Sequence, residues 1–257
     1  MPNIQIVSRE KHGKKRWHRL TDYKFTARDS VCPLTTLEMP KAMMCLPIGF
    51  IANGSGYTPV ALLGLEPHKN LFVTIDGRWL AAYIPAPYRG YPFMLTDLKE
   101  GQHALCIDEE SGAMSDGPDG EIFFDEESKP GEVIGEIMRF LTKVSVNRKA
   151  TQRICDFLQE NNLIQPWPIA LQRDNGEQKV EGLFRVDEAA FNAMPGEKLT
   201  ELRGLGGLTL VFCQLLSMQN LQRLIELGNL HRKAAEQMMP TELNLDFLND
   251  SGNISFG

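Results

Sequence analysis

The hydrophobic period of the chain changes once, near residue 130, and that change constrains what it can fold into. From Ala42 to Cys106 the apolar residues come in short runs, separated by Asn53-Gly54-Ser55-Gly56, Glu66-Pro67-His68 and Asp76-Gly77. Short β-prone runs bounded by such turn residues read as strands, here over 44–52, 60–65, 71–75, 78–84, 93–95 and 103–107. Beyond Pro130, Ile134, Ile137, Met138, Leu141 and Val144 recur at helical spacing, which predicts helix from about 131 to 161, bent or broken near Ser145-Val146-Asn147. A hairpin is expected within the helical part, from 169–172 through Asp174-Asn175-Gly176 to 180–186. Asp187 is placed to cap a short helix, and Ser217 to cap a last one running over 218–237. The fold class is therefore α+β. A β-rich part over about 10–125, a curved antiparallel sheet or partial barrel, packs with C-terminal helices and the inserted hairpin over about 130–237. We read residues 1–257 as a single domain with a polar tail over 240–257, expected to be mobile.

Within the β-rich part, residues 70–93 are the densest in signals. Asp76-Gly77 lies between two β-prone runs, a strong hairpin signal because such a turn needs positive φ at little steric cost. A Pro/aromatic corner follows, from Pro85 to Phe93. Arg78, Trp79, Tyr83, Tyr88, Arg89 and Tyr91 fall in this stretch, and arginines beside aromatics offer contact area together with directional hydrogen bonds. These six are the candidate binding residues. In a strand, Trp79 and Tyr83 share one face and Arg78 points to the other. Arg89 and Tyr91 are expected to be at least partly exposed, with Gly90 between them permitting an unusual turn.

Composition narrows the partners. Across 257 residues the net charge is −6, which gives no general attraction to nucleic acid or to an anionic membrane. Residues 9–20 are locally basic around Trp17, but with no nucleic-acid motif elsewhere they read as a short surface strand over 15–20. No run reaches the roughly 18–20 apolar residues that span a bilayer, and the polar N-terminus lacks the apolar stretch of a signal peptide. Five scattered cysteines and eleven methionines fit buried thiols in a reducing compartment, so a cytoplasmic location is expected.

Catalytic motifs are sparse. Asn53-Gly54-Ser55-Gly56 is not a nucleophile elbow, and Gly204-Leu-Gly-Gly-Leu-Thr209 lacks the third glycine of a dinucleotide loop. The five histidines show no ligand spacing. The acidic stretch 108–127 does not follow the order of a calcium-binding loop and reads as a solvated connection. No catalytic residue, metal or cofactor is expected.

Two stretches carry a family resemblance. One is Gly77-Arg-Trp-Leu-Ala-Ala-Tyr-Ile-Pro with Tyr91-Pro-Phe. The other begins at Leu163-Ile-Gln-Pro-Trp-Pro, continues through Glu181-Gly-Leu-Phe-Arg-Val-Asp-Glu-Ala-Ala190 and ends at Gln214-Leu-Leu-Ser-Met218. These strings, with His12-Gly13 at the start of the match, closely resemble the SapC family of bacterial proteins over most of 10–235. The resemblance implies association with surface-layer loci, or an accessory role in uptake or modification loci. It brings no catalytic residue and no cofactor. The expected function is a non-catalytic cytoplasmic binding or accessory protein, its partner a protein or a small ligand. An enzyme with a pocket between the β-rich part and the C-terminal helices is the alternative, and a surface-layer component the third.

Overall fold

In the computed structural model, which describes residues 3–98, 103–173 and 176–238, the period change falls at Gly131, where the chain enters one helix, Glu132–Glu160. This helix is continuous over 29 residues, roughly 43 Å at about 1.5 Å per residue. The break expected at Ser145-Val146-Asn147 does not occur. Asn147 and Thr151 lie one turn apart, and the Asn147 carbonyl accepts from the Thr151 hydroxyl at 2.8 Å. Thr151 Oγ1 also receives the Thr36 N–H at 2.9 Å. Polar residues that read as a breaker are instead the place where the helix is pinned to the N-terminal part.

The α+β class holds, with the strands divided among separate antiparallel sheets. The largest has five strands in the order Ile164–Pro166, Leu183–Val186, Ile48–Asn53, Gly56–Leu62, Val31–Pro33. Its central hairpin turns through Gly54-Ser55, with Asn53 paired to Gly56 and Gly54 at φ +61, a conformation that glycine takes at no steric cost. A second sheet orders Ile4–Ile6, His103–Asp108 and Phe93–Asp97, and a third joins the two-residue strands Met114–Ser115, Arg16–Trp17 and Glu121–Ile122. The acidic connection 108–127 thus contributes two strands, and Asp108 within it is buried.

Residues 71–84 form a short hairpin with two backbone bonds across it, Thr74 N–H to the Arg78 carbonyl at 3.0 Å and Leu80 N–H to the Phe72 carbonyl at 2.8 Å. Val73 and Trp79 make a single bridge around Gly77, whose φ is +91. Side chains add to these two bonds. Thr74 Oγ1 accepts the Arg78 N–H at 2.9 Å, Asn70 Oδ1 accepts the Phe72 N–H at 2.9 Å, and Trp79 Nε1 donates to the Tyr83 carbonyl at 2.9 Å. Local bonds of this kind compete with strand pairing. The inserted hairpin pairs Ile169–Arg173 with Gly176–Val180 and with no third strand among the described residues. Its turn at Asp174-Asn175 lies outside them. After Gly182 (φ +80), Leu183–Val186 leaves the hairpin and joins the large sheet. The tail over 240–257 also lies outside the described residues.

Two apolar clusters result. The larger gathers the five-stranded sheet, the C-terminal half of the long helix (Ile154, Cys155, Phe157, Leu158) and the helices that follow. The smaller gathers Trp17, Phe93, Leu105, Ile107 and Phe123 around Ile134 and Leu141, on the N-terminal half of that helix. The long helix therefore belongs to both. All five cysteines are free thiols, and all but Cys45 are buried. No single helix among the described residues is long and apolar enough to cross a membrane.

Three C-terminal helices follow, Gly196–Gly204, Gly207–Ser217 and Leu221–Met238, and Gly207–Ser217 packs against the large sheet through polar as well as apolar side chains. Leu183 and Phe184 pair with Ile51 and Phe50, so continuing that register would set Val186 opposite Ile48. The strands instead separate there and Gln214 enters between them. Its Oε1 accepts the Val186 N–H at 3.0 Å, and its Nε2 donates to the Ile48 carbonyl at 3.0 Å. Ser217 makes no cap, because its hydroxyl accepts the Ile48 N–H at 2.9 Å and donates to the Gln214 carbonyl at 2.7 Å. Gln214→Leu strands two buried backbone groups at roughly 1–3 kcal/mol each. The variant should lose about 2–5 kcal/mol in urea denaturation, and a loss below about 1 kcal/mol would show that the strands close up without the amide.

Candidate binding cleft

The Pro/aromatic corner contains a short helix, Ala86–Gly90, with Pro87 in its first turn. Proline fits there because no intrahelical acceptor awaits its missing N–H. Gly90 keeps a helical conformation and allows a close approach, not a turn: a Cβ on it would lie 2.8 Å from Leu141 Cδ2 of the long helix. The Tyr91–Pro92 peptide bond after it is cis.

Three tyrosines, Tyr83 just before the corner and Tyr88 and Tyr91 within it, each donate their hydroxyl to a carboxylate from a different part of the chain. Tyr83 reaches Glu38 at 3.0 Å, Tyr88 reaches Asp29 at 2.8 Å and Tyr91 reaches Asp108 at 2.8 Å. Glu38 is only 5% exposed and is fully served by donors. Beyond Tyr83 it accepts the Ala86 N–H at 2.7 Å, the Thr35 N–H at 3.0 Å and the Thr35 hydroxyl at 2.8 Å. Asp108 also accepts the Asn3 and Glu110 N–H groups, at 2.9 and 3.1 Å. A buried carboxylate is tolerable when donors replace its water in this way.

The rings form one cluster. Phe25 stacks on Tyr91 with centroids 4.1 Å apart and meets Tyr88 edge-on at 5.9 Å, while Trp79 lies among Tyr23, Phe72 and Tyr88. Arg89 is exposed, its guanidinium 5.0 Å from the Phe140 centroid and 5.5 Å from that of Tyr83. It donates to the Tyr83 hydroxyl at 3.1 Å.

The six predicted residues therefore part company. Arg78 sits exposed at the tip of the preceding turn, paired with Asp76 at 2.8 Å, away from the others. Trp79 and Tyr83 are half-buried and pack against the larger apolar cluster. Tyr88, Arg89 and Tyr91 come together on one wall of an open cleft of about 500 Å³. Its other walls are the segment from Trp17 to Phe25, with Arg19, Asp22 and Tyr23, and the long helix, with Glu136, Ile137 and Phe140. Neither Arg19 nor Arg89 forms an ion pair with a carboxylate among the described residues. Trp17 is 2% exposed, and its Nε1 has no hydrogen-bond partner among them. Sequence reading missed Arg19 because the basic stretch reads as a solvated strand, and Tyr23 and Phe25 because no motif or period marks them. Glu136 and Phe140 carried a signal in their i, i+4 spacing on one helix face. No group of three His, Cys, Asp or Glu side chains among the described residues is placed to hold a metal ion.

Burial, more than any neighbour, pushes the Tyr83, Tyr88 and Tyr91 phenols above the ordinary tyrosine range, and the adjoining carboxylates push them further. Unfolded tyrosines ionise at about pH 10. Below that value both states hold the phenolic protons and stability does not depend on them. Above it only the unfolded state gives them up readily, so stability falls as pH rises. In an alkaline titration, three of the five tyrosines should form phenolate only as the circular dichroism of the fold is lost. Reversible ionisation of all five with the fold intact would refute the buried tyrosine–carboxylate bonds.

The family model of SapC matches residues 7–224, a span that includes the corner, the cleft, the long helix and the Gln214 clamp. No curated protein and no solved structure matches the chain. With most of its length matched to that one family model, the chain belongs to the SapC family.

Proposed function

We propose that this SapC-family chain is a non-catalytic binding or accessory protein of the bacterial cytoplasm, serving a surface-layer, uptake or modification locus. The cleft beside the corner is its binding site. The observation that carries this reading is Arg89. Its guanidinium is spread over Phe140 and Tyr83, held by one phenol hydroxyl, and has no carboxylate partner among the described residues. A guanidinium stacked on rings keeps its N–H edge for an anion, and its planar fork suits a carboxylate or phosphate. Arg19 on the facing segment adds a second cation, and Tyr23, Phe25 and Tyr91 add ring surface.

A volume of about 500 Å³ is within the range of small-molecule sites. The chemistry that fits is a small molecule with one anionic group and a flat apolar portion. The tyrosine hydroxyls are held by structural carboxylates, so the charged groups that select the ligand are Arg19 and Arg89, with Asp22 and Glu136 restricting where its anionic group can lie.

Aromatic carboxylates such as 2-naphthoate provide the probe. Binding should be measurable by calorimetry with wild-type protein and fall at least about tenfold in Arg89→Ala, the loss of one charged hydrogen bond. The melting temperature of the variant should stay close to wild type, since Arg89 is exposed. Equal affinity in Arg89→Ala, or no binding across a panel of such acids, would overturn the assignment of the cleft. Turnover of a bound acid would overturn the non-catalytic part of the reading.

A further inference from the structure

A second cavity of about 970 Å³ lies between the loop 65–80 and the helix Leu221–Met238, with Ala170 of the inserted hairpin at its edge. It shares no residue with the cleft above. Its floor and walls are aliphatic: Leu65, Leu71 and Leu80 from the loop face Leu224 and Leu227 from the helix. Three of its side chains are left to solvent, with Ile75 72% exposed, Leu230 60% and Ile225 37%. Exposed aliphatic groups collected around one concavity mark a surface that is covered by something.

Its charged members favour an acidic occupant. Arg232 forms no ion pair with a carboxylate among the described residues, and Lys69 adds a second cation beside Glu66, 3.5 Å away. The chain itself contains a complementary stretch. Residues 239–257 follow directly on the helix whose side lines the groove. They include Glu242-Leu-Asn-Leu-Asp-Phe-Leu-Asn-Asp250, in which Leu243, Leu245 and Phe247 alternate with polar residues, and they contain acids but no Lys or Arg.

Reach is sufficient. From Leu224 to Arg232 the helix covers roughly 12 Å at about 1.5 Å per residue. The stretch 242–250, extended, spans roughly 25–30 Å at about 3.3 Å per residue. Pro240 in the sequence is a residue that does not continue a helix. Tethering makes the encounter intramolecular, so modest contacts suffice.

We propose that residues 242–250 fold back over the last helix and fill this groove. Leu243, Leu245 and Phe247 cover the aliphatic floor, and the acids meet Arg232 and Lys69. The segment thereby shields Ile75, Ile225 and Leu230, and any partner that takes the groove must first displace it.

Hydrogen exchange on the full-length chain tests this. Leu245→Asp combined with Phe247→Asp should speed exchange several-fold in 65–80 and 224–232 and leave the central strands 48–62 unchanged. Leu230→Asp, a change at an exposed groove position, should speed exchange in 242–250. A synthetic peptide of residues 239–257 should restore protection to the groove of the double variant. Unchanged exchange in both variants would overturn the proposal. So would a dimer, seen by sedimentation, that the double variant converts to monomer, because the groove would then be filled by a second copy.

Discussion

The corner of this protein depends on the hydrogen bonds between Tyr83, Tyr88 and Tyr91 and the carboxylates of Glu38, Asp29 and Asp108. Each acid belongs to a segment distant in sequence from the corner: the turn before Met39–Ala42, the approach to Val31–Pro33, and the end of His103–Asp108. A phenol donating to a buried carboxylate answers two requirements at once, since both groups lose water and each is the other's replacement. Nine residues with three prolines, Pro85 to Phe93, cannot build a ladder of their own. Side-chain bonds to three separate segments hold them instead. This is also why the cleft can be open: its corner wall is fixed from behind, and Arg89 is free to face outward.

The long helix provides the second constraint. Ile134 and Leu141 serve one apolar cluster, while Ile154, Phe157 and Leu158 serve the other. Glu136, Ile137 and Phe140, near the first cluster, supply the helix wall of the cleft. Gly90 lets that wall approach the corner closely, because a Cβ there would lie 2.8 Å from Leu141 Cδ2 and the leucine end would have to move. Further along, Thr151 ties the helix to Thr36, three residues before Met39–Ala42. Cleft geometry and sheet packing are therefore coupled through one rigid element. Within the large sheet Gln214 provides a similar tie with a single amide, standing in for two ladder bonds where strands diverge.

Much of the fold could be read in the sequence where a residue's preference is local. Gly54 and Gly77 take the positive φ their turns demand, and Asp187 caps its helix by accepting the Ala190 N–H at 3.0 Å. Helical periodicity from Ile134 onward located the long helix, because burial of one face imposes that spacing wherever the helix packs. Ser217 shows where local reasoning stops. It stands at the right place for a cap, but the unpaired N–H of Ile48, far away in sequence, takes its hydroxyl.

For the site the division is sharper. The sequence by itself determined the α+β order, the family, and a corner rich in arginine and tyrosine. Tertiary structure alone decided which of those residues face a cavity. Arg78 and Arg89 look equivalent in sequence, yet one pairs with Asp76 at a turn tip and the other lies over Phe140, on a helix that begins more than forty residues later. Likewise nothing in the order of residues distinguishes Glu38 and Asp108, both buried, from solvated acids. A carboxylate is buried only where distant segments bring it several donors, and that convergence is a property of packing, not of sequence neighbours.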